Sequence, residues 1–174
     1  MRLPHLQDAE THSLCIKLGE AIVEKQGRLI TIESCTGGGV ASAVTETPGS
    51  SAWFDRALVT YSNQAKMDLA AVSASVLNTY GAVSIEVAEA MAIGGLLESD
   101  LDVVNAYSIA ITGIAGPDGG SEQKPVGLVC FAWGYRAGRH CELLHSSLEH
   151  FSGDRAAIRS QSVRFSLNTL IEKL

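Results

Sequence analysis

Three consecutive glycines, Gly37-Gly38-Gly39, stand between the apolar run Leu29-Ile30-Thr31-Ile32 and the small-residue run Val40-Ala41-Ser42-Ala43-Val44. This order predicts a strand, a tight turn and the start of a helix. Backbone N–H groups at a helix start have no helical partner, and the helix dipole adds positive potential there. The residues leading into the turn, Glu33-Ser34-Cys35-Thr36, therefore place three candidate nucleophiles, Ser34, Cys35 and Thr36, beside a ready anion or oxyanion site.

The chain around this junction has 174 residues and 46% hydrophobic content, enough for one domain with a sizeable core, residues 1–174, and too little for a second. Its formal net charge of -6, from 13 basic and 19 acidic residues, leaves no electrostatic footprint for nucleic acid and no polybasic segment for a membrane surface. The polar stretch that follows Met1-Arg2-Leu3-Pro4-His5 reads as neither signal peptide nor membrane span, so a cytoplasmic protein is expected. Cys15, Cys35, Cys130 and Cys141 form no C-x-x-C pair, which argues against a zinc knuckle, a thioredoxin motif or a disulfide framework.

An amphipathic helix is predicted from about Asp8 to Gln26, with Leu14, Leu18, Ala21 and Ile22 at helical spacing and Gly27 as the stop. Arg28 to Glu33 then forms the strand that enters the glycine turn. After the turn cluster Thr47-Pro48-Gly49-Ser50-Ser51, Trp53-Phe54 reads as an apolar plug before a strand, Ala57 to Tyr61. Ser62-Asn63 offers a helix N-cap. With Asn63 as the cap, Lys66 falls in the first helical turn, where the dipole pushes a lysine pKa down.

Val72-Ser73 to Gly81 reads as a short helix and turn, and Ser84-Ile85-Glu86 opens a longer helix through Leu97, whose Gly94 and Gly95 suggest close approach of a neighbour. Val103 to Ile111 is apolar enough for a strand buried on both faces, and it ends in a second glycine-rich segment, Thr112 to Gly120. Gly127 to Tyr135 and Glu142 to Leu148 predict a hairpin, and Asp154-Arg155 opens a terminal helix with Val163, Leu167, Leu170 and Leu174 on one face. The pattern indicates an α/β fold: a three-layer α/β/α single domain with a mixed, largely buried sheet.

A serine nucleophile needs a base, and none of the five histidines lies in a glycine motif. His140, His145 and His150 recur every five residues, which matches no metal pattern, so neither a metal centre nor another cofactor is expected. Lysine serves as a base only when burial or positive surroundings keep it neutral, and Lys66 is the best placed. Tyr61 is positioned to relay a proton or hold that lysine. Cys35 is the rival nucleophile, more reactive in itself but inert as a buried thiol. Neither glycine segment is a P-loop; together with Arg155, suited to bidentate phosphate contacts, they suggest a small phosphorylated ligand.

Five ordered segments resemble one family: Glu33 to Gly38, Val59 to Lys66, Gly81 to Ser84, Thr112 to Gly120 and Lys124 to Gly127 are similar to successive motifs of the CinA C-terminal domain family. The likeness extends to Phe151-Ser152-Gly153-Asp154-Arg155 and covers nearly the whole chain. It implies an amidohydrolase that converts nicotinamide mononucleotide to nicotinate mononucleotide and ammonia, with Ser34 as nucleophile, Lys66 as base and Tyr61 as accessory group.

By the same resemblance, the substrate contacts are Thr36, Gly37, Gly38, Asn63, Thr112, Gly113, Gly116 and Arg155. Larger relatives carry a further N-terminal hydrolase domain, whose activity is not expected here. The chain departs from the family pattern at Ile32, where a small residue is expected, and at Gly39, which lengthens the glycine run. A homo-oligomer is expected on general grounds. The competing reading is a non-catalytic nucleotide- or partner-binding module linked to competence or DNA damage.

Overall fold

The computed structural model describes residues 8–98 and 104–174. Asp8 caps the first helix, α1 (Ala9–Glu24), by accepting from Thr11 N at 2.8 Å, and this bond holds its carboxyl below the usual carboxylate range. Strand β1 (Gly27–Glu33) follows, then the glycine turn and the short helix α2 (Gly39–Thr45). A single 3-10 turn (Ser50–Ala52) leads to β2 (Phe54–Val59). Trp53 is the buried plug expected there, while the strand runs from Phe54 to Val59 and so starts before Ala57 and stops before Tyr61, the bounds its sequence suggests.

Three helices come next: α3 (Asn63–Ala70), α4 (Ala74–Tyr80) and α5 (Ile85–Leu97). Ser62 rather than Asn63 is the cap of α3, because it accepts from Ala65 N at 3.0 Å and leaves Asn63 as the first helical residue. Strand β3 (Asn105–Gly113) is buried on both faces, as its apolar run predicts; Val103 lies outside the described residues. β4 (Leu128–Ala137) and β5 (His140–His150) form the expected hairpin on a two-residue turn, with Gly138 in the left-handed region at φ 59°. The terminal helix α6 (Arg155–Lys173) is capped by Asp154.

The five strands lie in the order β2-β1-β3-β4-β5, with β1 parallel to both β2 and β3 and the rest antiparallel. Alternation along each strand splits the core between two faces. On one, Leu29, Ile109, Phe131 and Trp133 pack against Leu18 of α1, Val40 of α2 and Leu167 of α6. On the other, Ile30, Ile32, Ala110 and Ala132 pack against Ala70 of α3 and Val87, Met91 and Leu96 of α5. The expected three-layer α/β/α arrangement with a mixed sheet is thus the one found, its inner strands buried and β5 largely open along its length. No helix among the described residues is long and apolar enough to cross a membrane.

Two glycines explain how tightly α5 sits. A Cβ at Gly94 would fall 1.7 Å from the Ala70 carbonyl oxygen at the end of α3, and one at Gly95 would fall 2.5 Å from the Ile32 side chain. The Gly95 gap accommodates the Ile32 side chain. Since overpacking a close approach costs about 1–3 kcal/mol or more, Gly94→Ala is expected to lower the thermal midpoint by several degrees in a calorimetric scan. An unchanged midpoint would contradict the α3–α5 contact.

Candidate functional site

Glu33, the last residue of β1, pairs with Val59 of β2 and with Ile111 of β3. The next residue on each strand's path, Ser34, Thr60 and Thr112, is therefore delivered to the same level at the carboxyl edge of the parallel half of the sheet. Open α/β sheets place ligands at this edge. Two backbone bonds continue the ladders beyond the strands: Ser34 N donates to Ile111 O at 2.9 Å and Thr60 N to Glu33 O at 2.8 Å.

α3 then turns back across this edge and brings Lys66 under it. Its Nζ donates to Ser34 Oγ at 3.1 Å and to Thr60 O at 2.8 Å. Lys66 is 1% exposed and Ser34 7%. Burial pushes the lysine pKa below its ordinary 10.5. The cause differs from the one the sequence suggests: with Ser62 as cap, Lys66 sits at the fourth helical position, and desolvation dominates. Cys35 is buried too, and desolvation raises its thiol to about 12, so it is held as an unreactive thiol at neutral pH.

The helix start is not the open anion site that the glycine turn suggests. Glu33, fully buried, turns its carboxylate onto α2, accepting from Val40 N at 3.0 Å and from Ala41 N at 2.9 Å. A protein carboxylate therefore occupies the position a phosphate would take. Gly37 and Gly38, at φ 59° and 90°, let the chain turn sharply enough for this contact. A second tie comes from α6, where Arg159 donates to Thr36 O at 2.7 Å.

A cavity of about 220 Å³ opens at this edge, lined by Ser34, Cys35, Tyr61, Lys66, Ala82, Val83, Thr112, Gly113, Ala115 and Arg155. Six of the sequence-derived site residues meet here: Ser34, Lys66, Tyr61, Thr112, Gly113 and Arg155. Thr36, Gly37, Gly38, Asn63 and Gly116 do not line it. Thr36 is buried behind the turn, Asn63 is exposed on α3, and Gly116 contributes its carbonyl to Arg155 at 2.8 Å. Tyr61 lies beyond the end of β2, 61% exposed, and its hydroxyl accepts from Arg155 at 3.1 Å rather than holding Lys66. A wider cavity of about 530 Å³ between α1 and the 47–53 turn, walled by Ile16, Val23 and Trp53, contains no comparable pair of nucleophile and base.

Glu33, Arg159 and Lys124 shape the site without having been assigned a role from sequence. For Glu33 a signal existed, an acid shortly before a helix start rich in small residues. Arg159 and Lys124 act on segments 123 and 41–44 residues away, which no local pattern encodes. His145 and His150 have structural places, one stacked on Trp133 at 5.5 Å and the other 3.1 Å from Val126 O.

The model of the CinA C-terminal domain family matches residues 11–174. A nicotinamide-nucleotide amidohydrolase PncC from Enterobacter agglomerans is 45% identical over 168 residues, covering 97% of this chain and 98% of that protein. Another protein of that name, from Escherichia coli K12, is 45% identical over 165 residues, 95% of each chain. Among solved structures, the competence/damage inducible protein CihA from Agrobacterium tumefaciens superposes with a TM-score of 0.84 at 39% identity, over 97% of this chain and 98% of that one. With its fold and nearly its whole length matched, the chain belongs to the CinA C-terminal domain family.

Proposed function

We propose that this protein is an amidohydrolase acting on nicotinamide mononucleotide, releasing ammonia and nicotinate mononucleotide through Ser34 as nucleophile and Lys66 as base. The observation that carries the mechanism is the 3.1 Å approach of a buried, pKa-lowered amine to the Ser34 hydroxyl. The substrate rests on the relatives named nicotinamide-nucleotide amidohydrolase.

With Lys66 neutral, one N–H of the amine stays on Thr60 O and its lone pair accepts the Ser34 proton as Oγ attacks the carboxamide carbon. The oxyanion settles against turn amides that follow Ser34. The amides of Val40 and Ala41 are held by Glu33 and are not among them. When the C–N bond breaks, ammonia leaves with the proton that Lys66 had taken. Water then attacks the ester carbon, gives its proton to Lys66, and the acid departs as the Ser34 hydroxyl is restored.

The cavity of about 220 Å³ accommodates the carboxamide-bearing ring, and Arg155 with Tyr61 at the mouth meets the ribose phosphate outside. Phosphate recognition thus falls to a guanidinium at the entrance and not to a helix start.

Ammonia release from the mononucleotide tests this reading. Ser34→Ala and Lys66→Met are each expected to lose about 10³-fold or more in kcat, while Cys35→Ala stays within about tenfold. Full activity in Ser34→Ala would overturn the serine assignment. The pH profile follows from the direction of the Lys66 shift: the neutral amine is the working form, so kcat/KM rises with pH along an acid limb whose midpoint lies below 10.5. Folding bears the cost of that depressed pKa below the folded value, and the cost disappears as pH rises to 10.5. An acid limb that persists in Lys66→Met would assign the titration to another group.

A further inference from the structure

One wall of the cavity is the turn between α4 and α5, which contributes Ala82 and Val83. Four consecutive carbonyls of this turn are held by side chains. Lys124 Nζ donates to Tyr80 O and to Val83 O, both at 2.7 Å; Ser84 Oγ donates to Gly81 O at 3.0 Å, and Thr112 Oγ1 to Ala82 O at 2.7 Å. Thr112 is itself a lining residue at the end of β3. The wall is thus tied to the strand edge by Thr112 and to the β3–β4 loop by Lys124.

Lys124 is prepared for this task by its own backbone. Its N–H donates to Ser121 Oγ at 3.1 Å, and its carbonyl accepts from Ser121 N at 2.8 Å. The loop beneath is closed by Ile114 N on Leu128 O and Gly127 N on Ile114 O. The ammonium meets the carboxyl end of α4, where unpaired carbonyls and the helix dipole favour a cation. Gly81, at φ 76°, leaves room for it: a Cβ there would lie 3.3 Å from Nζ.

We propose that Lys124 is a positioning residue that governs substrate fit, fixing Ala82 and Val83 at the distance from Ser34 that the carboxamide-bearing ring requires. Lys124 is absent from the cavity lining and is bonded to neither Ser34 nor Lys66, so its effect falls on binding and leaves the proton transfers intact. The proposal rests on the amidohydrolase reading for its kinetic consequence and on geometry alone for the clamp.

The test compares wild type, Lys124→Met and Lys124→Arg in two measurements. In turnover of nicotinamide mononucleotide, Lys124→Met is expected to raise KM about tenfold, the worth of lost hydrogen bonds to a charged group. Its kcat should stay within about twofold with the acid limb unmoved, and Lys124→Arg, which keeps donors, recovers most of the loss. In hydrogen exchange without substrate, amides of residues 82–84 open about tenfold faster in Lys124→Met, while the 34–39 turn is unchanged. A fall in kcat at unchanged KM, or exchange that matches wild type, overturns the proposal. Should wild type release no ammonia, the functional reading fails and the exchange experiment alone decides the clamp. Lys124→Gln, with one donor left, replaces Lys124→Met if that chain does not fold.

Discussion

A lysine that is 1% exposed, with its amine next to a serine hydroxyl, is an unfavourable arrangement unless something else compensates, and the surrounding architecture provides that compensation. The Thr60 carbonyl accepts one N–H, the hydroxyl of Ser34 takes another position around the amine, and burial lowers the pKa, which favours the neutral form. Both partners arrive by register: Glu33 is flanked by Val59 and Ile111, so the residues just past three parallel strands reach one level together. A slip of one residue in either ladder would turn Ser34 or Thr60 away.

The glycine turn gains a different meaning from this arrangement. An open start of α2 would be an anion site, and Glu33 fills it from within by accepting from Val40 N and Ala41 N. The turn is thereby fixed from the strand side by Glu33 and from the α6 side by Arg159 on the Thr36 carbonyl. On the wall formed by the α4–α5 turn, Lys124, Ser84 and Thr112 hold successive carbonyls in place of a backbone ladder. Both rims are therefore built from polar side chains on backbone groups, while the apolar core is confined to the two faces of the sheet.

Periodicity and caps made most elements legible in the sequence: Asp8, Ser84 and Asp154 each start the helix their position suggests, and the close-packed role of Gly94 and Gly95 follows from their size. Ser34, Lys66, Thr112 and Arg155 also gather as anticipated. What escaped were interactions between distant segments. The Tyr61 phenol turns to Arg155, 94 residues away, because the strand ends at Val59 and leaves the tyrosine outside. Thr36 and Asn63, close to the nucleophile and base in sequence, face away from the cavity. The Lys66 shift was anticipated in direction, but its source is burial beneath the strand edge, which only the tertiary structure creates.

The account depends most on the protonation state of one amine. Titrating the Lys66 side chain directly, by nuclear magnetic resonance of isotope-labelled lysine in the folded protein with Lys66→Arg to assign the signal, measures it without substrate. The structure predicts a midpoint below 10.5, moved when Ser34 is replaced by alanine. A Lys66 signal that titrates at or above 10.5 and ignores that replacement would contradict a neutral lysine base in contact with the serine.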